Sequence, residues 1–145
     1  PLYAGALGPK SLARAARWAH GITGFALNAD PAELTPAVDA ARLAWSEAGR
    51  ADLPVFTSAC FVVCGVPDAA ERLTTFTREY MGIFGDDVAG LMADSARLSS
   101  AAALTGTLTR TAAETDADEI ILVPGDTSAA CADALAQAVT DADLG

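Results

Sequence analysis

The stretch "GALGPK", Gly5 to Lys10, carries the residue types that a bound phosphate needs. Gly5 and Gly8 leave room for a ligand to approach the backbone closely. A helix starting here would aim its first N–H groups and the positive end of its dipole at an anion, and Lys10 would add a charge. The pattern is neither GxGxxG nor a Walker loop, and Pro9 removes one donor. A plain strand-to-helix turn would use the same residues, so the surroundings have to decide between the two.

Other chemistry-bearing residues are sparse. The single histidine, His20, ends a helical pattern, where a cation suits the dipole. Sequence places no nucleophile or carboxylate beside it, so it is a weak general-base candidate. No GxSxG elbow or Cys/His pairing occurs, and one histidine makes most triads implausible. Asp126, in "PGDTSAA", reads as a helix cap rather than a proton carrier. Asp116, Asp118 and Glu119 precede a strand and read as a solvated turn on the rim away from any ligand. Cys60, Cys64 and Cys131 are odd in number and lack CxxC spacing, which gives no structural zinc pattern. Cys60 and Cys64, four apart on an expected strand, share one face. Buried thiols in a reducing cytosol are the expectation, hence a cytoplasmic protein.

The chain has 145 residues, 52% of them hydrophobic and 19% charged, enough for one domain with a real core. A net charge of −10 disfavours a nucleic-acid footprint or an anionic membrane surface as partner, but not a small anionic ligand. No apolar run reaches the roughly 18 residues of a membrane span, and no signal-peptide pattern is present. The first residue is proline, as expected either after methionine removal or for a piece cut from a longer chain.

The elements that must position these groups alternate from end to end. Leu2–Ala6, Gly21–Leu27, Val55–Cys64 and Glu119–Val123 read as strands. Helices are expected over Lys10–Ala19, from Pro31 to Gly49, behind Pro67 and Asp68, and over Asp86–Asp94, Ser99–Thr115 and Thr127–Thr140. "DPAE" sets Asp30 as N-cap, Pro31 at the first helical position and Glu33 reaching back as in a capping box. Phe76, Tyr80, Ile83 and Phe84 form an apolar stripe expected in the core, and Trp18 and Trp45 are expected to pack. Val55–Cys64 is apolar on both faces, as in a parallel strand covered on both sides. Four β/α units in order call for a parallel sheet with right-handed crossovers. Ligands in such folds bind at the carboxyl ends of strands. That rule selects Leu7–Lys10, the residues after Leu27, Gly65–Asp68 and Pro124–Thr127.

"PLYAGALGPKSLARAARWAHG" resembles the "PIY(I/V)GA-x-GPK…A…ADG" stretch of the bacterial-luciferase-like flavin oxidoreductases. "EAGRADLP", "YMGIFGDDV" and "ADEIILVP" extend the likeness in order along the chain. The resemblance implies a TIM barrel of which residues 1–145 are the C-terminal half, about four β/α units forming strands five to eight. A closed barrel takes about 250 residues, so the N-terminal half lies outside this sequence. It also implies FMN or coenzyme F420 as cofactor, and a small-molecule substrate for an oxidoreductase or monooxygenase. In the F420-dependent branch, the positions matching Gly5, Ala6, Leu7 and Gly8 line the cofactor phosphate, and the position matching Thr23 touches the cofactor. Lys10 follows in the same turn. The family usually reads "ADG" where this chain has Ala19-His20-Gly21. Its proton-transfer residues lie largely on the early strands, so no catalytic residue is named here. An uncovered half-barrel would expose an apolar face and two strand edges, and is expected to form a homodimer or pair with the missing half. A non-catalytic half-barrel that binds a ligand or only self-associates is the alternative.

Overall fold

The computed structural model describes residues 1–143. Its strands are β1 (Tyr3–Gly5), β2 (Gly21–Phe25), β3 (Val55–Val62) and β4 (Glu119–Pro124). Its helices are α1 (Pro9–Ala15), α2 (Pro31–Glu47), α3 (Ala69–Met81), α4 (Asp86–Ser95), α5 (Ala101–Glu114) and α6 (Ala129–Asp141), with a 3₁₀ turn at Gly82–Phe84. All neighbouring strands pair parallel in the order β1-β2-β3-β4, as the alternating pattern requires.

Period-two alternation divides the sheet into two unlike faces. Ala4, Ile22, Phe56, Ser58, Cys60 and Val62 point to the helix layer and are buried. The alternate positions Tyr3, Gly5, Thr23, Phe25, Ala59, Ile121 and Val123 stand on the other face. There Tyr3 is 42% and Ile121 41% exposed, so this face is open. β3 is nevertheless buried along both faces for most of its length, as its apolar run predicts. β1 and β4 are sheet edges.

Several helical expectations need correction. Glu33 does not close a capping box on Asp30. Its carboxylate accepts instead from the Asn28 N–H at 3.1 Å and from Asn28 Nδ2 at 3.2 Å, while Asp30 caps α2 by accepting from the Ala32 N–H. Of the apolar stripe placed in the core, Tyr80, Ile83 and Phe84 are 57%, 80% and 62% exposed. The face of α3 that enters the core is Leu73, Thr77 and Met81, and the helix gives way to the 3₁₀ turn before Ile83. Phe76 and Tyr80 flank that face and turn onto Phe61. Trp45 is buried as expected, but Trp18 is 56% exposed. α1 stops at Ala15, and the following turn buries Ala16 and Ala19 while Trp18 faces solvent.

Arg50, in "EAGRADLP", fastens the amino-terminal rim. Its guanidinium donates to Ala19 O at 2.5 Å and Ala16 O at 3.3 Å, pairs with Asp52 and lies 5.2 Å from the Trp45 ring centroid. The two carbonyls belong to the turn after α1, where helix-end acceptors otherwise lack donors. The hydrogen bond from Arg50 holds the Asp52 carboxyl below its ordinary value of 3.8. A depressed folded pKa means stability that is complete above the ordinary value and is lost as pH falls through the folded one. Wild type is therefore expected to lose stability below about pH 4 more steeply than Arg50→Ala in acid denaturation. At neutral pH, Arg50→Ala is expected to lower the melting midpoint more than Arg42→Ala, which breaks only the exposed pair with Asp116.

Candidate functional site

β1 delivers the chain to the carboxyl rim, and Gly5 and Thr23 are register partners on the open face. A Cβ built on Gly5 meets no atom within 4 Å, so the space above it is free for a ligand. Thr57 Oγ1 lies 3.1 Å from Thr23 Oγ1 and 3.4 Å from Ile22 O, which fixes the Thr23 hydroxyl beside Gly5. Ala6 points the opposite way, into the core, and can reach a ligand only through its backbone. Leu7 is 78% exposed and Lys10 is exposed on the first turn of α1.

The turn is less rich in free donors than its sequence suggests. Gly8 is the N-cap of α1, with extended backbone (φ −112°). Its N–H donates to Ser11 Oγ at 3.1 Å, and that hydroxyl donates back to Gly8 O at 2.8 Å. With Pro9 lacking an N–H, an anion here must rely on the remaining backbone amides and Lys10. A cavity of about 50 Å³ beneath Leu7, lined by Ser58 and α2, has room for water but not for a cofactor ring.

The other strand-end stretches have distinct roles. Gly65–Asp68 and Gly125–Asp126 meet beside α3 around a cavity of about 410 Å³. Asp68, Glu71, Glu79 and Asp126 face it against the single guanidinium of Arg72, a balance that repels phosphate. Asp126 is not the helix cap expected from sequence. Ser128 caps α6 by accepting from the Cys131 N–H, while Asp126 accepts from the Ser128 N–H and pairs with Arg72 at 2.7 Å. Bonds from Ser128, with Arg72 adding charge, hold the Asp126 carboxyl below its ordinary value. It is therefore a fixed anion and not a proton donor near neutrality.

His20 lies on the rim away from Gly8, exposed, with its N–H bonded to Leu2 O and its ring edge-on to Tyr3. It is remote from the strand ends where a ligand would sit. Asp118, expected in a solvated turn, instead accepts from the Phe56 N–H at 2.7 Å and so ties β4 to β3. The three thiols are free and buried, with Cys64 just past the end of β3. Burial, with Glu33 nearby, pushes the Cys60 thiol up to about 12, which leaves it inert near neutral pH. Among the described residues no group of His, Cys, Asp and Glu could hold a metal ion, and no helix is long and apolar enough to cross a membrane.

Sequence reasoning selected the residues after Leu27 without singling out Asn28, the first of them. Its Nδ2 donates to Glu33 and to Ser95 O, and its Oδ1 accepts from the Arg97 N–H at 2.8 Å. These partners sit up to 69 residues away, and no local pattern announces them.

A four-stranded parallel sheet in sequential order, covered by helices on one face and open on the other, has the topology of half of a (β/α)₈ barrel. The chain belongs to the luciferase-like monooxygenase family, whose model matches residues 1–142. The solved structure of apo-MsnO8 is similar over 96% of this chain and 50% of that one, at 19% identity and a TM-score of 0.60. An F420-dependent secondary alcohol dehydrogenase in complex with an F420-acetone adduct is similar over 93% of this chain and 46% of that one, at 15% identity and a TM-score of 0.62. The chain thus spans about half the length of these solved relatives. No curated protein matches it. The expected family and the half-barrel fold are borne out, and FMN or F420 is the cofactor choice consistent with that family.

Proposed function

We propose that β1 to β4 are strands five to eight of a flavin- or deazaflavin-dependent oxidoreductase barrel, and that Gly5–Gly8 with Thr23 form part of its cofactor phosphate site. The observation that carries this reading is the pairing of Gly5 with Thr23 on the open face, above which nothing fills the space. The fit is through backbone: Gly5 and Leu7 offer approach, Lys10 supplies charge, and Thr23 offers a hydroxyl held by Thr57. When bound, the cofactor supplies hydride transfer, or oxygen activation in the case of FMN. This chain's residues hold and orient its anionic end. The proton-transfer groups and most substrate contacts come from the other four β/α units, which also cover the open face and the edges of β1 and β4. A small-molecule substrate binds between the halves.

Gly8→Asp tests the site cleanly. The Gly8 backbone is already in the extended region, the nearest atom to an added Cβ is Ser11 Oγ at 3.9 Å, and aspartate is a strong N-cap. The variant is expected to fold at least as well as wild type, yet to bind FMN or F420 at least about tenfold more weakly, because a second anion costs one charge-assisted hydrogen bond or more. Fluorescence titration with each cofactor separately reads this. Equal affinity in the variant rules out the phosphate site. Failure of the folded wild type to bind either cofactor favours the second reading, a half-barrel that only self-associates. The exposed sheet face and two free edges support that association. A stable monomer on size-exclusion chromatography counts against it.

A further inference from the structure

We propose that the groove between the β2–α2 loop and α5 binds an anionic group, phosphate or carboxylate, through Arg97 and Arg110. The groove has a volume of about 680 Å³ and is bordered by Asn28, Asp30, Arg97, Gly106, Thr107 and Arg110. It opens at the carboxyl rim, because Asn28 follows β2 and the Leu98 carbonyl accepts from the Val63 N–H just beyond β3. Parallel α/β proteins bind their ligands on that rim.

Charge distribution singles the groove out. The chain carries a net charge of −10 and only nine Lys and Arg residues. Among the described residues, Arg42, Arg50, Arg72, Arg78 and Arg110 each have a carboxylate within 4 Å. Lys10, Arg14, Arg17 and Arg97 have none, and of these four only Arg97 borders the groove. Its neighbour Arg110 is held loosely by Asp30, at 3.4 Å, beyond the ordinary range of a charge-assisted hydrogen bond. An incoming oxyanion can therefore engage both guanidinia without first breaking a tight pair.

The Arg97 backbone is held independently of its side chain. Its N–H donates to Asn28 Oδ1 at 2.8 Å and its carbonyl accepts from the Ser99 N–H at 2.9 Å. Asn28 is in turn 5% exposed and bonded to Glu33 and Ser95. With its backbone so fixed, only the Arg97 side-chain rotamers are ordered on binding, and the guanidinium fork matches either a phosphate or a carboxylate. Gly106 completes the space, since a Cβ there meets no atom within 4 Å. This inference does not rest on the flavin reading.

The test is an NMR titration of the folded chain with inorganic phosphate, and separately with citrate, at constant ionic strength set by chloride. Saturable shifts of the Gly106 amide and the Arg97 and Arg110 Nε–H groups are expected with at least one of them; whichever saturates identifies the anion class. Arg97→Gln is expected to weaken binding about tenfold, as loss of one charge-assisted hydrogen bond would. Gly106→Glu, which places a carboxylate in the open space and improves helix propensity, is expected to abolish binding without loss of stability. Gly8→Asp is expected to leave it unchanged, separating this groove from the turn at Gly5–Lys10. Absence of saturable shifts with both anions, or saturation unaffected by both groove variants, overturns the proposal.

Discussion

Gly21→Ala is expected to cost about 3 kcal/mol or more, at the upper end of what overpacking does. A Cβ at Gly21 would stand 2.1 Å from Val55 O, 2.9 Å from Val55 C and 3.0 Å from the Tyr3 ring. Two of those atoms are backbone and cannot swing aside. They are also fixed from both directions, since Gly21 is in register with Val55 and the Val55 N–H donates to His20 O. The sheet must therefore open between β2 and β3, or β2 must slip. Either movement separates Thr23 from Gly5, so the site is lost with the fold. Urea denaturation measures the cost, with Gly106→Ala as control. Gly106 lies in open space inside α5, and alanine there is expected to add up to about 1 kcal/mol. A Gly21→Ala midpoint equal to that of wild type would show that the strands accommodate the methyl group and that this contact sets nothing.

Composition and periodicity made the order of elements readable, because each strand or helix carries its own pattern and each break carries proline, glycine or a cap. The first three strands fall within the expected spans, shorter by up to two residues at an end, and β4 runs one residue past its expected end, to Pro124. What periodicity does not encode is which surface an apolar side chain meets. Phe76 and Tyr80 have helical spacing, yet they lean onto a ring on the open face rather than into the helix layer. Glu33 and Asp126 sit where caps belong, but a third residue takes the bond in each case: Asn28 donates to Glu33, and Ser128 replaces Asp126 as cap. Such competition between nearby polar groups is settled by their placement in the folded chain, which spacing cannot resolve. The candidate site divides in the same way. Gly5 entered through its glycine-rich turn and Thr23 through family resemblance, and their adjacency emerges only from strand register. Arg97 and Arg110 converge through contacts 69 and 80 residues apart in the chain, with no local motif to mark them.

Phe61→Ala is expected to cost about 3 to 5 kcal/mol, although the residue lies on the sheet face that no helix layer covers. Phe61 is only 3% exposed there because other rings close over it. Its centroid is 4.8 Å from that of Phe25, 5.1 Å from Phe76 and 5.0 Å from Tyr80, with the two α3 rings edge-on. Gly125 makes this possible, since a Cβ there would stand 2.8 Å from the Phe76 ring and 2.9 Å from Val63. The cluster thus adds to the core face of Leu73, Thr77 and Met81 in holding α3 over the carboxyl end of β3. Removing the central ring leaves a cavity that three neighbours cannot fill without moving the helix, whereas Phe61→Leu keeps most of the volume and is expected to cost far less. A double-mutant cycle with Tyr80→Ala is expected to give a coupling of about 0.5 to 1.5 kcal/mol, the range for an edge-on aromatic pair. Hydrogen exchange in Phe61→Ala should show α3 losing protection before α6, which packs chiefly on α5. Uniform loss across all helices would mean that the ring supports the global core instead. In that case α3 is not separately docked, and the mouth of the open face is shaped by the sheet alone.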